Sequence, residues 1–143
     1  MFGFFKRTPP FELKDITDFD FKYSTGNMMY AYVFYKIVME NGVYKAIIKP
    51  NQIADENAFE IEIDSGFVAE LERFLLLNGV EKWNGFKKSD NRVLDGKDFK
   101  MYMRNKQGRH FDAWGYMKWP ENYDNVKKGL DNLFGSLINK TLE

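Results

Sequence analysis

His110 and Asp112, in the stretch RHFDAWGYMKWPENYD from Arg109 to Asp124, are the residues whose types and spacing could run acid–base chemistry. Residues two apart on a β-strand share a face, roughly 6 to 7 Å apart by the strand rise, so the carboxylate could orient the imidazole as a general base requires. A nucleophile to complete the set is not evident. The serines are Ser24, Ser65, Ser89 and Ser136; Ser65 reads as a helix cap, Ser136 falls in the last helix, and none has a nucleophile-elbow context. A small enzyme with His110 as base and Asp112 as orienter is one reading. A charge pair on a strand surface is the other, and weighs more.

Trp114 and Tyr116 continue the same strand face, and Tyr102 on the partner strand could join them. Exposed aromatic clusters mark partner or ligand surfaces. Three arrangements fit such a cluster: a ligand platform, self-association, or cover by the N-terminal segment, with cover weighing most. Tyr102, His110, Asp112, Trp114 and Tyr116 therefore form the candidate binding set.

Other chemistries find less support. With no Cys and one His there is no thiolate nucleophile, and a zinc site would need three carboxylate or water ligands, so no metal and no cofactor is expected. Gly66, Gly79, Gly85, Gly96 and Gly108 each sit at a turn or helix boundary, leaving no phosphate loop. Glu60, Glu62 and Asp64 alternate along a strand and read as a solvated face, because calcium sites usually draw ligands from a turning loop. The tally of 21 basic against 21 acidic residues removes the long-range field of a dedicated nucleic-acid binder. Residues 81–110 nevertheless hold nine Lys or Arg against four acids, whereas 55–72 hold seven acids and no Lys or Arg. Lys100, Tyr102, Arg104 and Trp114 thus leave a weak RNA-stacking surface as a second alternative.

The elements that must position these residues follow from periodicity. Asn41-Gly42 between two β-rich runs is a strong hairpin signal. A two-residue turn pairs Glu40 with Val43, Met39 with Tyr44, Ile37 with Ala46 and Tyr35 with Ile48. That collects Tyr35, Ile37, Met39, Tyr44, Ala46 and Ile48 on an apolar face and Phe34, Lys36, Val38, Glu40, Val43, Lys45, Ile47 and Lys49 on a mixed one. AFEIEID is a half-buried strand with Phe59, Ile61 and Ile63 inward. A helix follows, capped by Asp64 or Ser65, with Phe67, Leu71, Phe74, Leu75 and Asn78 at helical spacing and Gly79 ending it. Residues 80–98 read as a loop whose Trp83 and Phe86 fold back onto the core. Phe99, Met101 and Met103 alternate with Lys100, Tyr102 and Arg104, and a turn at 105–108 leads to a return strand with Phe111, Ala113, Gly115 and Met117 inward. Pro120 stands as an N1 proline, and Tyr123, Val126, Leu130, Leu133, Phe134, Leu137 and Ile138 form the stripe of a closing helix.

The stretch from Trp83 onward resembles a group of small uncharacterised bacterial proteins. Trp83, Gly85 and Phe86, then Leu94, Asp95, Gly96 and Phe99, then Gly115, then Pro120, Glu121, Asn122 and Tyr123 carry the resemblance. It implies a bacterial source and a shared fold, and no particular activity. Each position also has a mechanical reading: Asp95-Gly96 turns into a strand, and Gly115 admits a close approach, with Trp83 the ring expected over it.

The expectation is a single α+β domain over residues 1–143: an antiparallel sheet of about five strands with two main helices on one face, in the order hairpin, strand, helix, hairpin, helix. Residues 1–25, rich in Asp and Phe, read either as a peripheral segment or as the source of one further strand or helix. The N-terminus, MFGFFKRTPPFELKD, lacks the roughly 7 to 15 apolar residues of a signal peptide, and no run approaches the roughly 18 of a membrane span, so a cytoplasmic location is expected. The leading functional reading is a non-enzymatic module that binds another protein, or a second copy of itself, through the open sheet face. A toxin-neutralising immunity protein is one form of it.

Overall fold

The computed structural model describes residues 11–142, with side chains to position 140. The segment weighed as a signal peptide falls largely in 1–10, outside the described residues. The chain forms β1 (Ile16–Ser24), β2 (Tyr32–Glu40), β3 (Val43–Lys49), β4 (Phe59–Ile63), α1 (Ser65–Leu77), β5 (Lys87–Ser89), β6 (Asp98–Asn105), β7 (His110–Tyr116) and α2 (Tyr123–Leu142). All seven strands join one mixed sheet in the order β4-β3-β2-β1-β6-β7-β5. Neighbours are antiparallel except β5 and β7.

Two expectations change here. The sheet has seven strands rather than about five, and one pair is parallel. The extra strands are β5, three residues of the stretch read as a loop, and β1, which occupies the centre of the sheet between β2 and β6. Residues 16–24 are therefore not peripheral. After a register shift between Ile16 and Asp18 the strand alternates, burying Phe19, Phe21 and Tyr23 and turning Asp18, Asp20 and Lys22 outward.

The β2–β3 hairpin keeps the predicted register, from Glu40 opposite Val43 to Tyr35 opposite Ile48. Asn41 and Gly42 both take positive φ, 53° and 78°, as a two-residue turn between right-twisted strands requires. Asp64 is the cap of α1: its carboxylate accepts from the Phe67 amide at 3.0 Å. At the other end Gly79 adopts φ +71°, where a side chain would be strained.

One sheet face carries the core. Phe19, Phe21, Tyr35, Ile37, Ile48, Phe99, Met101, Met103 and Phe111 are each at most 4% exposed. Phe134 of α2 stacks on Tyr35 at 4.7 Å and on Phe19 at 5.9 Å, and meets Phe67 of α1 edge-on at 5.3 Å. A single ring thus ties both helices to the same face; removing such a buried ring typically costs about 3–5 kcal/mol.

The junction after β7 departs from expectation. Met117 does not continue the strand inward: it turns into the left-handed region at φ 55°, and its sulfur accepts from the Lys97 amide at 3.1 Å. Pro120 is buried in the turn before the helix rather than at its first position, and the Tyr123 amide donates to its carbonyl at 3.2 Å. The groups closest to Gly115 are the Lys118 carbonyl and Phe99, whose Cε1 lies 2.8 Å from where a Cβ would stand. Trp83 instead packs edge-on to Phe99 and stacks on Tyr123, with its indole N–H on the Glu121 carbonyl at 3.0 Å.

Candidate functional site

The sheet face opposite the helices carries three rows of side chains across the strands. Strand pairing aligns Lys49, Phe34, Lys22, Lys100, Trp114 and Lys87 in one row. The next contains Glu60, Ile47, Lys36, Asp20, Tyr102 and Asp112, and the third Glu62, Lys45, Val38, Asp18, Arg104 and His110. Apart from Lys49, these side chains are half-buried or exposed. At the centre, Asp20 lies 3.9 Å from Lys36; burial pushes its carboxyl up from the usual range, against the pull of Lys36, Lys22 and Lys100. Cations also lie over rings, Lys22 at 4.1 Å from Tyr32 and Lys36 at 5.1 Å from Phe34. Such contacts hold aromatic and charged groups in fixed register on an accessible surface.

The five predicted site residues separate into two groups. Tyr102, His110, Asp112 and Trp114 lie on this open face, Tyr102 at 37% exposure. His110 and Asp112, however, take different partners. The Tyr102 hydroxyl and His110 Nδ1 are 2.7 Å apart, and Asp112 is paired with Lys87 at 3.2 Å. Both pairs are exposed and neither is part of the cleft described below. Tyr116 belongs to the fold: its hydroxyl accepts from the Gly96 amide at 2.7 Å and donates to the Val93 carbonyl at 2.9 Å. Gly96 itself leaves no room for a side chain, since a Cβ there would come within 2.9 Å of the Tyr116 ring. The tyrosine and the glycine together fix the approach to β6.

Lys49 departs from its row. At 1% exposure its ammonium donates to the Tyr32 carbonyl and faces Asp55 at 3.9 Å, so the loops at 25–31 and 50–57 close one corner of the face.

A feature that periodicity did not reveal lies at the end of the sheet, where the C-terminal end of β1 and the start of β6 meet the start of α2. Tyr23, Ser24, Lys97, Asp98, Trp119, Tyr123, Asp124 and Lys127 line a cleft of about 390 Å³ there. Beneath it, Asp131 accepts from the Tyr23 hydroxyl at 2.8 Å and the Tyr35 hydroxyl at 2.6 Å, while Lys127 lies 3.7 Å from its other oxygen. Burial, reinforced by Asp131, pushes both phenols above their ordinary range. Tyr123 is raised as well, by burial first and then by the charges of Tyr23, Asp124, Asp131 and Asp98. The sequence signal was present in Trp119, Pro120 and Tyr123, but these residues read as a strand–helix junction because nothing local shows which strand ends face them.

Fold and surface define a class: a small α+β domain with a seven-stranded sheet covered by helices on one side and open on the other. No protein-family model matches the chain, and no curated protein matches it. No described helix is long and apolar enough to cross a membrane.

Proposed function

We infer that this protein is a non-catalytic binding module of the bacterial cytoplasm whose open sheet face is the contact surface for another protein. The observation that carries this reading is the pairing on that face: Tyr102 with His110 and Lys87 with Asp112, both in the open. An imidazole held by a phenol, with its neighbouring carboxylate spent on a lysine, lacks the orienter that general-base work uses. The same groups suit recognition. Half-exposed aromatic rings flanked by ordered charges of both signs supply contact area and fix register against a complementary surface. A protein that neutralises another by covering it, as an immunity protein covers a toxin, needs no more than such a face.

A photo-crosslinking residue placed at Tyr102, with the exposed Asn132 on α2 as control position, tests the reading in cells that make the protein. One dominant adduct with a second protein at position 102, absent at 132, is the expected result. An adduct between two copies of this chain would replace the heterologous partner by a dimer, and equal labelling at both positions would end the reading. A second reading has one observation in its favour: the row Phe34, Lys22, Lys100, Trp114, Lys87 interleaves rings and lysines as single-stranded RNA binding by stacking demands. Saturable, salt-sensitive binding of a labelled oligouridine, abolished by Trp114→Ala, would favour it over a protein partner.

A further inference from the structure

We propose that the cleft between the sheet end and the start of α2 is a binding site for a neutral saccharide ring, stacked on Trp119 and held through its hydroxyls by Asp98, Asp124 and the Tyr123 phenol. This site is separate from the open face and does not depend on it.

The first observation is a polar group prepared without a partner. Tyr123 is 6% exposed, its ring packed against Phe99 and Trp119 at 4.8 Å each and against Trp83 at 5.9 Å. Tyr123 lines the cleft, and its hydroxyl makes no hydrogen bond to a described residue and reaches solvent there. A buried tyrosine normally satisfies that hydroxyl within the protein, as Tyr23 and Tyr35 do on Asp131. The carboxylates of Asp98 and Asp124 line the same cleft, again with no ion pair or side-chain hydrogen bond among the described residues.

The second observation is the platform. Trp119 keeps 40% of its surface exposed at the cleft while resting on Tyr123 at 31°. A partly exposed indole at the edge of a cleft offers an apolar plane bordered by hydrogen-bonding groups, which matches a pyranose: C–H bonds on its faces and hydroxyls on its rim.

Charge selects among ligands. Lys97 and Lys127 line the cleft together with the two aspartates, and Lys127 is also paired with Asp131 beneath it, so charges of both signs border the site. A cationic ligand would meet the lysines and an anionic one the carboxylates, each at a desolvation cost without a matching gain. Among the described residues no three His, Asp or Glu side chains converge as a metal site would need. A neutral polyol uses carboxylates as acceptors and ammonium groups as donors without carrying charge of its own. At about 390 Å³ the cleft lies near the lower end of ligand pockets, about 300–1,000 Å³, which fits one or two rings rather than a polymer.

The test is a two-dimensional NMR titration of the full chain with glucose, galactose, mannose, N-acetylglucosamine, maltose and chitobiose, with choline and inorganic phosphate as charged probes. Saturable shifts of the Trp119 indole and of amides at 97–98 and 123–124, with a Kd of about 10 mM or below for at least one neutral sugar, are expected. Asp124→Asn, an exposed change that leaves the packing alone, should weaken that sugar about tenfold, and Trp119→Ala should abolish its shifts while a folded spectrum remains. No saturable shift with any of the six sugars, or tighter binding of choline or phosphate, would overturn the proposal. So would sugar binding that Asp124→Asn leaves unchanged.

Discussion

Raising the pH should unfold this protein through three buried phenols. In Tyr23, Tyr35 and Tyr123 the hydroxyl proton is retained well above the ordinary value of 10.0, because burial penalises the phenolate and, for Tyr23 and Tyr35, Asp131 beside it repels the charge further. A group whose folded pKa exceeds its unfolded value contributes stability that is complete below the unfolded pKa and is lost as pH rises above it. The unfolded phenols ionise near 10 while the folded ones do not, so each tyrosine lowers stability by about 1.4 kcal/mol per pH unit above that point. Three such groups give a slope of about 4 kcal/mol per unit, enough to remove most of a small domain's stability of about 5–15 kcal/mol within two to three units. Urea unfolding at successive pH values would show stability steady to about pH 9 and falling steeply beyond about pH 10. In the folded protein, phenolate absorbance should report ionisation of only part of the eight tyrosines before the unfolding transition releases the rest. Tyr35→Phe should cost about 1–2 kcal/mol near neutrality, the worth of a hydrogen bond to a charged acceptor that keeps other partners, and should lower the alkaline slope by about a third. Stability unchanged through pH 11, about one unit past the unfolded phenol pKa, or all eight tyrosines titrating together before unfolding, would refute the placement of these hydroxyls.

Two glycines of α2 give a contrast. At Gly129 an added Cβ would strike the Phe74 ring, whereas at Gly135 nothing lies within 4 Å. Gly129→Ala should therefore destabilise by about 1–3 kcal/mol and Gly135→Ala stabilise by up to about 1 kcal/mol, both read from denaturant midpoints. Tyr116→Phe strips the Gly96 amide and the Val93 carbonyl of their shared partner; a loss of about 1–2 kcal/mol with faster hydrogen exchange at Gly96 is expected. His110→Ala and Asp112→Ala, on the open face, should each leave thermal stability within about 0.5 kcal/mol of the parent.

Local signals carried much of this fold. The register of β2 and β3 followed from Asn41-Gly42, and the limits of α1 from Asp64 and Gly79, because turn and cap chemistry is written in adjacent residues. The centre of the sheet was not legible in the same way. Residues 18–24 alternate clearly, but the strand is flanked by no hairpin turn to either neighbour, and its partners lie across the loop at 25–31 and more than 70 residues on at β6. The parallel pairing of Lys87–Ser89 with β7 was hidden for a related reason: a three-residue strand has no period to detect. Among site residues, face assignment by alternation placed Tyr102, His110, Asp112 and Trp114 together. It could not show that Tyr116, on the same face, is taken up by the bend at 93–96, nor that Trp119 and Tyr123 border a cleft, since both depend on segments remote in sequence.

Cover over the open face when the protein is at work is the decisive point. Hydroxyl-radical footprinting of the purified chain and of the same chain inside cells compares the two states directly. Ready oxidation of Tyr102, His110 and Trp114 in the purified protein and their protection in cells, with the exposed Leu76 and Leu77 of α1 equally reactive in both, is the predicted result. Equal reactivity of Tyr102, His110 and Trp114 in the two preparations would contradict it.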